Sequence, residues 1–161
     1  MKLSTKILAM LSAAMLLTAC ETAPTSKDSK NSNGLTGNLA KLQEEMQKAE
    51  VGDRVFFDFD SSVIKPEGEA TLQRQADLLK KSDNASATIT IEGHCDERGT
   101  REYNLALGER RANAAKSYLV NLGIAASRIQ TISYGKERPA VVGSDESAWS
   151  QNRRAVTVIN P

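Results

Sequence analysis

The apolar side chains of this chain follow two periods, which separate predicted helices from predicted strands. A short amphipathic helix is predicted over residues 39–50, where apolar side chains recur at intervals of three and four: Leu39, Leu42, Met46 and Ala49. A second helix is predicted from Pro66 to Lys81, because proline suits the first turn of a helix. A third, longer helix is predicted over residues 102–122 and ends before Gly123.

Alternation of apolar and polar residues predicts four strands, over residues 54–59, 88–92, 128–134 and 155–159. The first strand contains all three phenylalanines of the protein, and we therefore expect it to be central in the sheet. Helices between the early strands favour parallel crossovers, whereas the last two strands need not follow that pattern. The order β-α-β-α-β-β after a leading helix predicts an α+β fold, a two-layer sandwich with a mixed β-sheet.

The first twenty residues have the layout of an export signal. Lys2 and Lys6 provide a basic start, and residues 7–17 form an apolar run that is short for a membrane span. The run leads into Leu17-Thr18-Ala19-Cys20, which resembles the lipobox of bacterial lipoproteins. The resemblance implies cleavage before Cys20, a diacylglycerol on its thiol and acylation of the new amino group. The alternative is an ordinary signal peptide followed by an incidental cysteine.

Residues 21–38 contain hardly any apolar side chain, and such a composition predicts a flexible tether. The predicted organisation is a lipoprotein signal peptide (1–19), a lipidated Cys20 with the tether and the start of the leading helix (20–45), and one folded domain (46–161). Without Lys2 and Lys6 the chain has 19 basic and 20 acidic residues. This balanced charge lacks the excess of basic residues that is typical of nucleic-acid-binding proteins.

The longest predicted helix has polar residues on its apolar face. Arg111 and Asn104, seven residues apart, both fall near the middle of the stripe that contains Leu107 and Leu119. A buried charge needs a partner, and Asp96 in the preceding loop is the residue that we expect to meet Arg111. One interpretation is a structural ion pair. The other is a site for a zwitterion, in which Arg111 takes a carboxylate and Asp96 an ammonium.

The segment from Gly93 to Ala112, GHCDERGTREYNLALGERRA, resembles the signature of the OmpA-like peptidoglycan-binding domain, in the form found in lipoproteins. Three shorter segments resemble the same family: VFFDFD from Val55, SYGKERP from Ser133 and NRRAV from Asn152. The resemblance covers residues 46–159, and these are long, ordered matches.

The resemblance implies non-covalent binding of the meso-diaminopimelate of the peptidoglycan stem peptide, no enzymatic activity, no cofactor and no metal. It implies that Asp96 and Arg111 bind this residue, that Asn104 belongs to the site, and that Phe59 and Asp60 lie beside it. The implied partners are TolB, other Tol proteins and an OmpA-type porin, in a system that ties the outer membrane to the cell wall during division. Glu21 after the cysteine differs from an inner-membrane retention aspartate, which implies an outer-membrane, lipid-anchored protein facing the periplasm.

Two other interpretations of the sequence involve catalysis. His94-Cys95-Asp96 could form a metal or nucleophile site, but His94 is the only histidine, and along an extended segment His94 and Asp96 point away from Cys95. Asp58 and Asp60 at a strand end are similar to the Asp-x-Asp of Mg²⁺-dependent phosphatases with an aspartate nucleophile. The simpler interpretation is that both aspartates shape a turn.

Overall fold

The computed structural model describes residues 29–161, with side-chain surroundings from residue 37 onward, and this range contains four α-helices and four strands. The helices are α1 (Ser29–Gln47), α2 (Pro66–Leu79), α3 (Arg101–Asn121) and α4 (Glu146–Asn152). The strands are β1 (Arg54–Phe56), β2 (Ile89–His94), β3 (Ile129–Gly135) and β4 (Arg154–Ile159). Short 3₁₀ turns, Ser82–Asn84 and Ala126–Arg128, precede β2 and β3.

The four strands form one mixed sheet in the order β1-β4-β2-β3. Strands β2 and β3 are parallel and are joined by α3, whereas β4 lies antiparallel between β1 and β2. The prediction of an α+β fold with a mixed sheet is confirmed. In addition, a short fourth helix, α4, lies between the third and fourth strands.

The prediction that the phenylalanine-rich strand is central is wrong, because β1 is a three-residue edge strand. Its ladder with β4 ends at Phe56, and the chain turns shortly afterwards at Asp60, which has a φ of 53°. Of the three phenylalanines only Phe57 is buried, while Phe56 is 40% and Phe59 is 59% exposed. Only Phe57 therefore belongs to the core, and the rings of Phe56 and Phe59 lie at the surface.

Helix α1 begins ten residues before the predicted start, so residues 29–38 of the predicted tether are helical. The buried side chains of Leu42 and Met46 anchor its second half to the core. Once such a segment is helical, each further residue adds a backbone hydrogen bond at little nucleation cost. The predicted signal peptide, Cys20 and residues 21–28 of the predicted tether lie outside the described residues. None of the helices within residues 29–161 has the length and apolar character needed to cross a membrane.

Helices α2 and α3 cover one face of the sheet and enclose the core. Ile89 and Ile91 of β2 point into it, together with Leu72, Leu79 and Leu119 of the two helices. Helix α3 lies unusually close to β2, since a Cβ atom on Gly93 would stand 1.8 Å from the carbonyl oxygen of Gly108. This close approach brings the first half of α3 next to the loop that follows β2.

Candidate functional site

A pocket of about 130 Å³ opens where β2 ends and α3 begins. Ten residues line it, among them all five that the sequence assigned to the site: Phe59, Asp60, Cys95, Asp96, Arg98, Gly99, Tyr103, Asn104, Leu107 and Arg111. They come from the turn after β1, the loop after β2 and the first half of α3. A cavity of this size can hold a small chemical group but not a sugar chain.

Arg111 lies at the base of the pocket and is fully buried. Its guanidinium donates to three backbone carbonyls, from Nε to Ser61 at 2.8 Å, from Nη1 to His94 at 2.8 Å and from Nη2 to Asp58 at 3.1 Å. It forms no ion pair with a carboxylate of the described residues. Burial lowers the pKa of Arg111 from its usual range. A guanidinium has five N–H groups, so two reach no carbonyl among residues 29–161. The thiol of Cys95 is a hydrogen-bonding neighbour of the same guanidinium.

The expected pairing of Asp96 with Arg111 does not occur. Instead, Asp96 accepts from the side chain of Arg98, at 3.2 Å from Nε and 2.6 Å from Nη2, and from its backbone N at 3.1 Å. Nη1 of Arg153 lies 3.4 Å from the same carboxylate. The arginine two residues along the loop reaches Asp96 locally, whereas Arg111 is held in place by carbonyl groups.

The charge state of Asp96 follows from these contacts. Burial alone would raise the pKa of this carboxyl, but the hydrogen bonds from Arg98 and Arg153 outweigh burial and lower it. Asp96 is therefore an ionised carboxylate with 4% of its side chain exposed.

Arg98 lies between two aromatic rings at the mouth of the pocket. Its guanidinium carbon is 4.0 Å from the ring centroid of Phe59 and 4.0 Å from that of Trp149 on α4. Nε1 of Trp149 donates to Glu97 at 3.1 Å, which fixes the indole beside the loop. We use the term aromatic clamp for Phe59, Arg98 and Trp149.

Asn104 and Asp60 are in the site, but each is already engaged. Both amide hydrogens of Asn104 go to loop carbonyls, those of Arg98 at 2.8 Å and Thr100 at 3.1 Å. Only its carbonyl oxygen is left for a ligand. Asp60 accepts from the hydroxyl of Tyr103, and this hydrogen bond raises the pKa of Tyr103.

The geometry does not support either catalytic interpretation, the His94-Cys95-Asp96 site or the Asp58 and Asp60 pair. Cys95 and Asp96 both line the pocket, contrary to strict alternation, because β2 ends at His94 and these two residues are no longer part of an extended strand. Cys95 is a buried thiol whose Sγ donates to the backbone of Asn104, and burial raises its pKa. No group of three metal-ligating side chains occurs within the described part of the chain. The carboxylate of Asp58 is exposed and ion-paired with Lys65 at 3.0 Å, away from that of Asp60.

Several residues of the site were not assigned from the sequence. Arg98 and Arg153 bind Asp96 and Trp149 packs on Arg98, although the three come from separate segments. The i, i+2 spacing of Asp96 and Arg98 was visible as a local pair, because an aspartate commonly caps its own loop in this way. Nothing in the linear order connects Trp149 or Arg153 to that loop.

Comparison with known proteins identifies the family. Residues 56–153 match the model of the OmpA family, a span of more than half the chain that includes every pocket-lining residue. The chain belongs to the OmpA family. It is similar to the peptidoglycan-associated lipoprotein of Rhizobium meliloti, with 62% identity over 109 residues, or 68% of this chain and 61% of that protein. It is also similar to the peptidoglycan-associated lipoprotein of Agrobacterium fabrum, with 50% identity over 148 residues, or 91% of this chain and 82% of that protein.

Solved structures of OmpA-like domains agree with this assignment. The crystal structure of the peptidoglycan-associated lipoprotein from Burkholderia pseudomallei superimposes with a TM-score of 0.68 at 40% identity, covering 74% of this chain and 99% of that one. The C-terminal domain of Helicobacter pylori MotB has a TM-score of 0.63 at 19% identity, over 68% of this chain and 85% of that one. The second likeness shows the fold alone. The chain spans about three fifths of the Rhizobium relative and four fifths of the Agrobacterium relative.

Proposed function

We propose that this chain binds peptidoglycan non-covalently, through the diaminopimelate of the stem peptide, and tethers a membrane to the cell wall. The observation that carries the proposal is the pocket in which a buried Arg111, with two N–H groups that reach no backbone carbonyl, lies beside an ionised Asp96. Its support is the OmpA family match and the similarity to proteins named peptidoglycan-associated lipoprotein. No observation favours the phosphatase interpretation.

Diaminopimelate in a stem peptide carries a free amino-acid head group, with an ammonium and a carboxylate on one carbon. Arg111 offers its remaining donors to that carboxylate, and Asp96 offers an acceptor to the ammonium. Phe59, Asp60 and Asn104 border the same pocket. Each charge-assisted hydrogen bond contributes about 1.5–3 kcal/mol net. Binding needs no bond to be made or broken, so the proposal requires neither a catalytic residue nor a cofactor.

The proposal extends to the cellular setting of the domain. A lipidated Cys20 would hold the chain in the outer membrane with its folded domain facing the periplasm, as the lipobox-like segment predicts. In that setting the partners are TolB, other Tol proteins and an OmpA-type porin, and the role is envelope integrity during division. A soluble chain in cells, or one without TolB among its crosslinked partners, contradicts this part.

Sedimentation of the purified chain with isolated sacculi tests the wall-binding proposal. Asp96→Asn keeps the shape of the side chain and removes its charge, while Arg111→Lys keeps the charge and removes the planar fork. We expect each variant to bind at least about tenfold more weakly, which corresponds to roughly 1.4 kcal/mol. Free diaminopimelate should release the wild-type chain from the sacculi.

Two controls separate binding from folding. Arg110→Ala removes an exposed neighbour of Arg111 and should bind like the wild type. Circular dichroism is needed for Arg111→Lys, because Arg111 joins three backbone segments through Asp58, Ser61 and His94. Folded Asp96→Asn and Arg111→Lys chains that sediment normally would end the head-group proposal.

A further inference from the structure

The guanidinium of Arg98 is bound to the carboxylate of Asp96, the group to which the ligand's ammonium would bind. We propose that this arginine is a built-in competitor of the ligand: its guanidinium takes the ammonium position on Asp96, and ligand entry exchanges one cation for the other. This inference rests on the proposed function, since it describes how the same pocket is regulated and how it selects its ligand.

The first step of the argument is that Asp96 is saturated. Its two oxygens accept three hydrogen bonds from Arg98, two from the guanidinium and one from the backbone N, and a further one from Arg153. A carboxylate has about four lone-pair positions. An ammonium can therefore reach Asp96 only if one of these donors leaves.

The second step is that Arg98, not Arg153, is the donor able to leave. The side chain of Arg153 is 7% exposed and is fixed by the carbonyl of Phe57 at 3.0 Å and by Glu146. The side chain of Arg98 is 31% exposed, and its other side-chain contacts are the two rings of the aromatic clamp. Ring faces attract a cation without directional hydrogen bonds, so the guanidinium can slide along them when it releases Asp96.

The third step concerns selectivity. A ligand that lacks the ammonium has nothing to exchange with Arg98 and gains only the contacts to Arg111. A ligand with the ammonium gains a contact to Asp96 but must compete with Arg98 for it. Its apparent affinity is therefore the intrinsic affinity multiplied by the fraction of molecules in which Arg98 has released Asp96. Removal of Arg98 should therefore strengthen binding of the complete head group and leave binding of the incomplete one nearly unchanged.

The test compares two soluble peptides on the full chain in detergent, by calorimetry. One is a stem tripeptide that ends in diaminopimelate, and the other carries 2-aminopimelate instead, which keeps the free carboxylate and lacks the free ammonium. Arg98→Ala should bind the first peptide at least about threefold more tightly than the wild type and the second within about twofold. Arg101→Ala, an arginine with 74% exposure that pairs with Glu137, is the matched control and should change neither value.

Trp149 provides a second readout, because it is the only tryptophan and its ring contacts Arg98. In the wild type the diaminopimelate peptide should change Trp149 fluorescence, while the 2-aminopimelate peptide should not. If Arg98→Ala fails to fold, Arg98→Met keeps much of the side-chain length without a donor for Asp96 and should still tighten binding of the first peptide.

The outcomes distinguish this inference from the proposed function. A folded Arg98→Ala chain that binds the first peptide no better than the wild type overturns the competitor role, even when Asp96→Asn abolishes binding. If Asp96→Asn and Arg111→Lys also bind normally, the proposed function fails as well.

Discussion

Replacement of Gly93 by alanine should separate α3 from the sheet and disturb the pocket from outside it. The new Cβ would lie 1.8 Å from the carbonyl oxygen of Gly108 and 2.5 Å from its carbonyl carbon. Both are backbone atoms in the middle of α3, so no side-chain rotation relieves the overlap. Real Cβ contacts below 3.0 Å essentially never occur, and the helix must therefore move away by more than about 1 Å.

The expected loss of stability follows from the cost of overpacking a close contact, about 1–3 kcal/mol and occasionally more. In a domain of this size each kcal/mol corresponds to roughly 3–6 °C in Tm. The site should suffer as well, because Asn104 and Arg111 move with α3 while Asp96 stays with β2. The hydrogen bond of 2.8 Å from Arg111 to the carbonyl of His94 joins the two parts and should be the first to lengthen.

Thermal melting followed by circular dichroism, together with sacculus sedimentation, measures both effects. Gly108→Ala meets Oγ of Ser133 at 2.3 Å, which can rotate away, and the carbonyl oxygen of Gly93 at 2.9 Å, so its Tm should fall less. Gly37→Ala is the matched control, because nothing lies within 4 Å of its Cβ position and alanine favours a helix. A Gly93→Ala chain that melts like the wild type and binds sacculi normally would refute the argument.

Three further predictions concern His94, Cys95 and Cys20. Burial, with Arg154 and Arg138 nearby, lowers the pKa of His94 from 6.5 to about 4, although Glu92 lies 3.4 Å away. The unfolded chain therefore binds the proton at a higher pH than the folded chain, and up to about 3 kcal/mol of stability should be lost as pH falls from 6.5 to 4. Urea melts at a series of pH values should show a smaller loss for His94→Gln. Cys95→Ala should sediment with sacculi within a few fold of the wild type, since the thiol donates only to a backbone carbonyl, and a loss as large as that of Asp96→Asn would contradict this. Cys20→Ser should lose palmitate labelling and membrane fractionation, and unchanged labelling would rule out the lipid anchor.

The parts of the fold that the sequence predicted well are those in which one helix face or strand face is buried. Helix α3 begins one residue before the predicted start, because Thr100 caps it by accepting from the backbone N of Tyr103. Helix α2 begins at Pro66 as predicted, and its apolar side chains Leu72, Ala76 and Leu79, spaced at three and four residues, are fully buried. In these elements local periodicity and tertiary packing require the same residues.

The sequence predicted less well where tertiary contacts decide. The periodicity of α3 placed Arg111 on the apolar face, where it is indeed buried, but its partners are carbonyls of Asp58, Ser61 and His94. Backbone carbonyls are the same at every residue and cannot be recognised from the sequence, so the sequence predicts a side-chain partner, Asp96 in the neighbouring loop. The prediction of a central first strand is wrong for a similar reason: the aromatic ring of Phe59 contacts Arg98 rather than the core.

The two charged groups of the pocket are held by different kinds of contact, and this difference bears on how a head group would enter. Arg111 is fixed by backbone carbonyls, which cannot be exchanged, so its position is set before any ligand arrives. Asp96 is satisfied mostly by side chains, and one of these, the guanidinium of Arg98, is partly exposed and able to move. Preorganised groups lose little entropy on binding, whereas a displaced group must first be released. We therefore expect a carboxylate to engage Arg111 first and hold the ammonium near Asp96, where it can replace the guanidinium of Arg98.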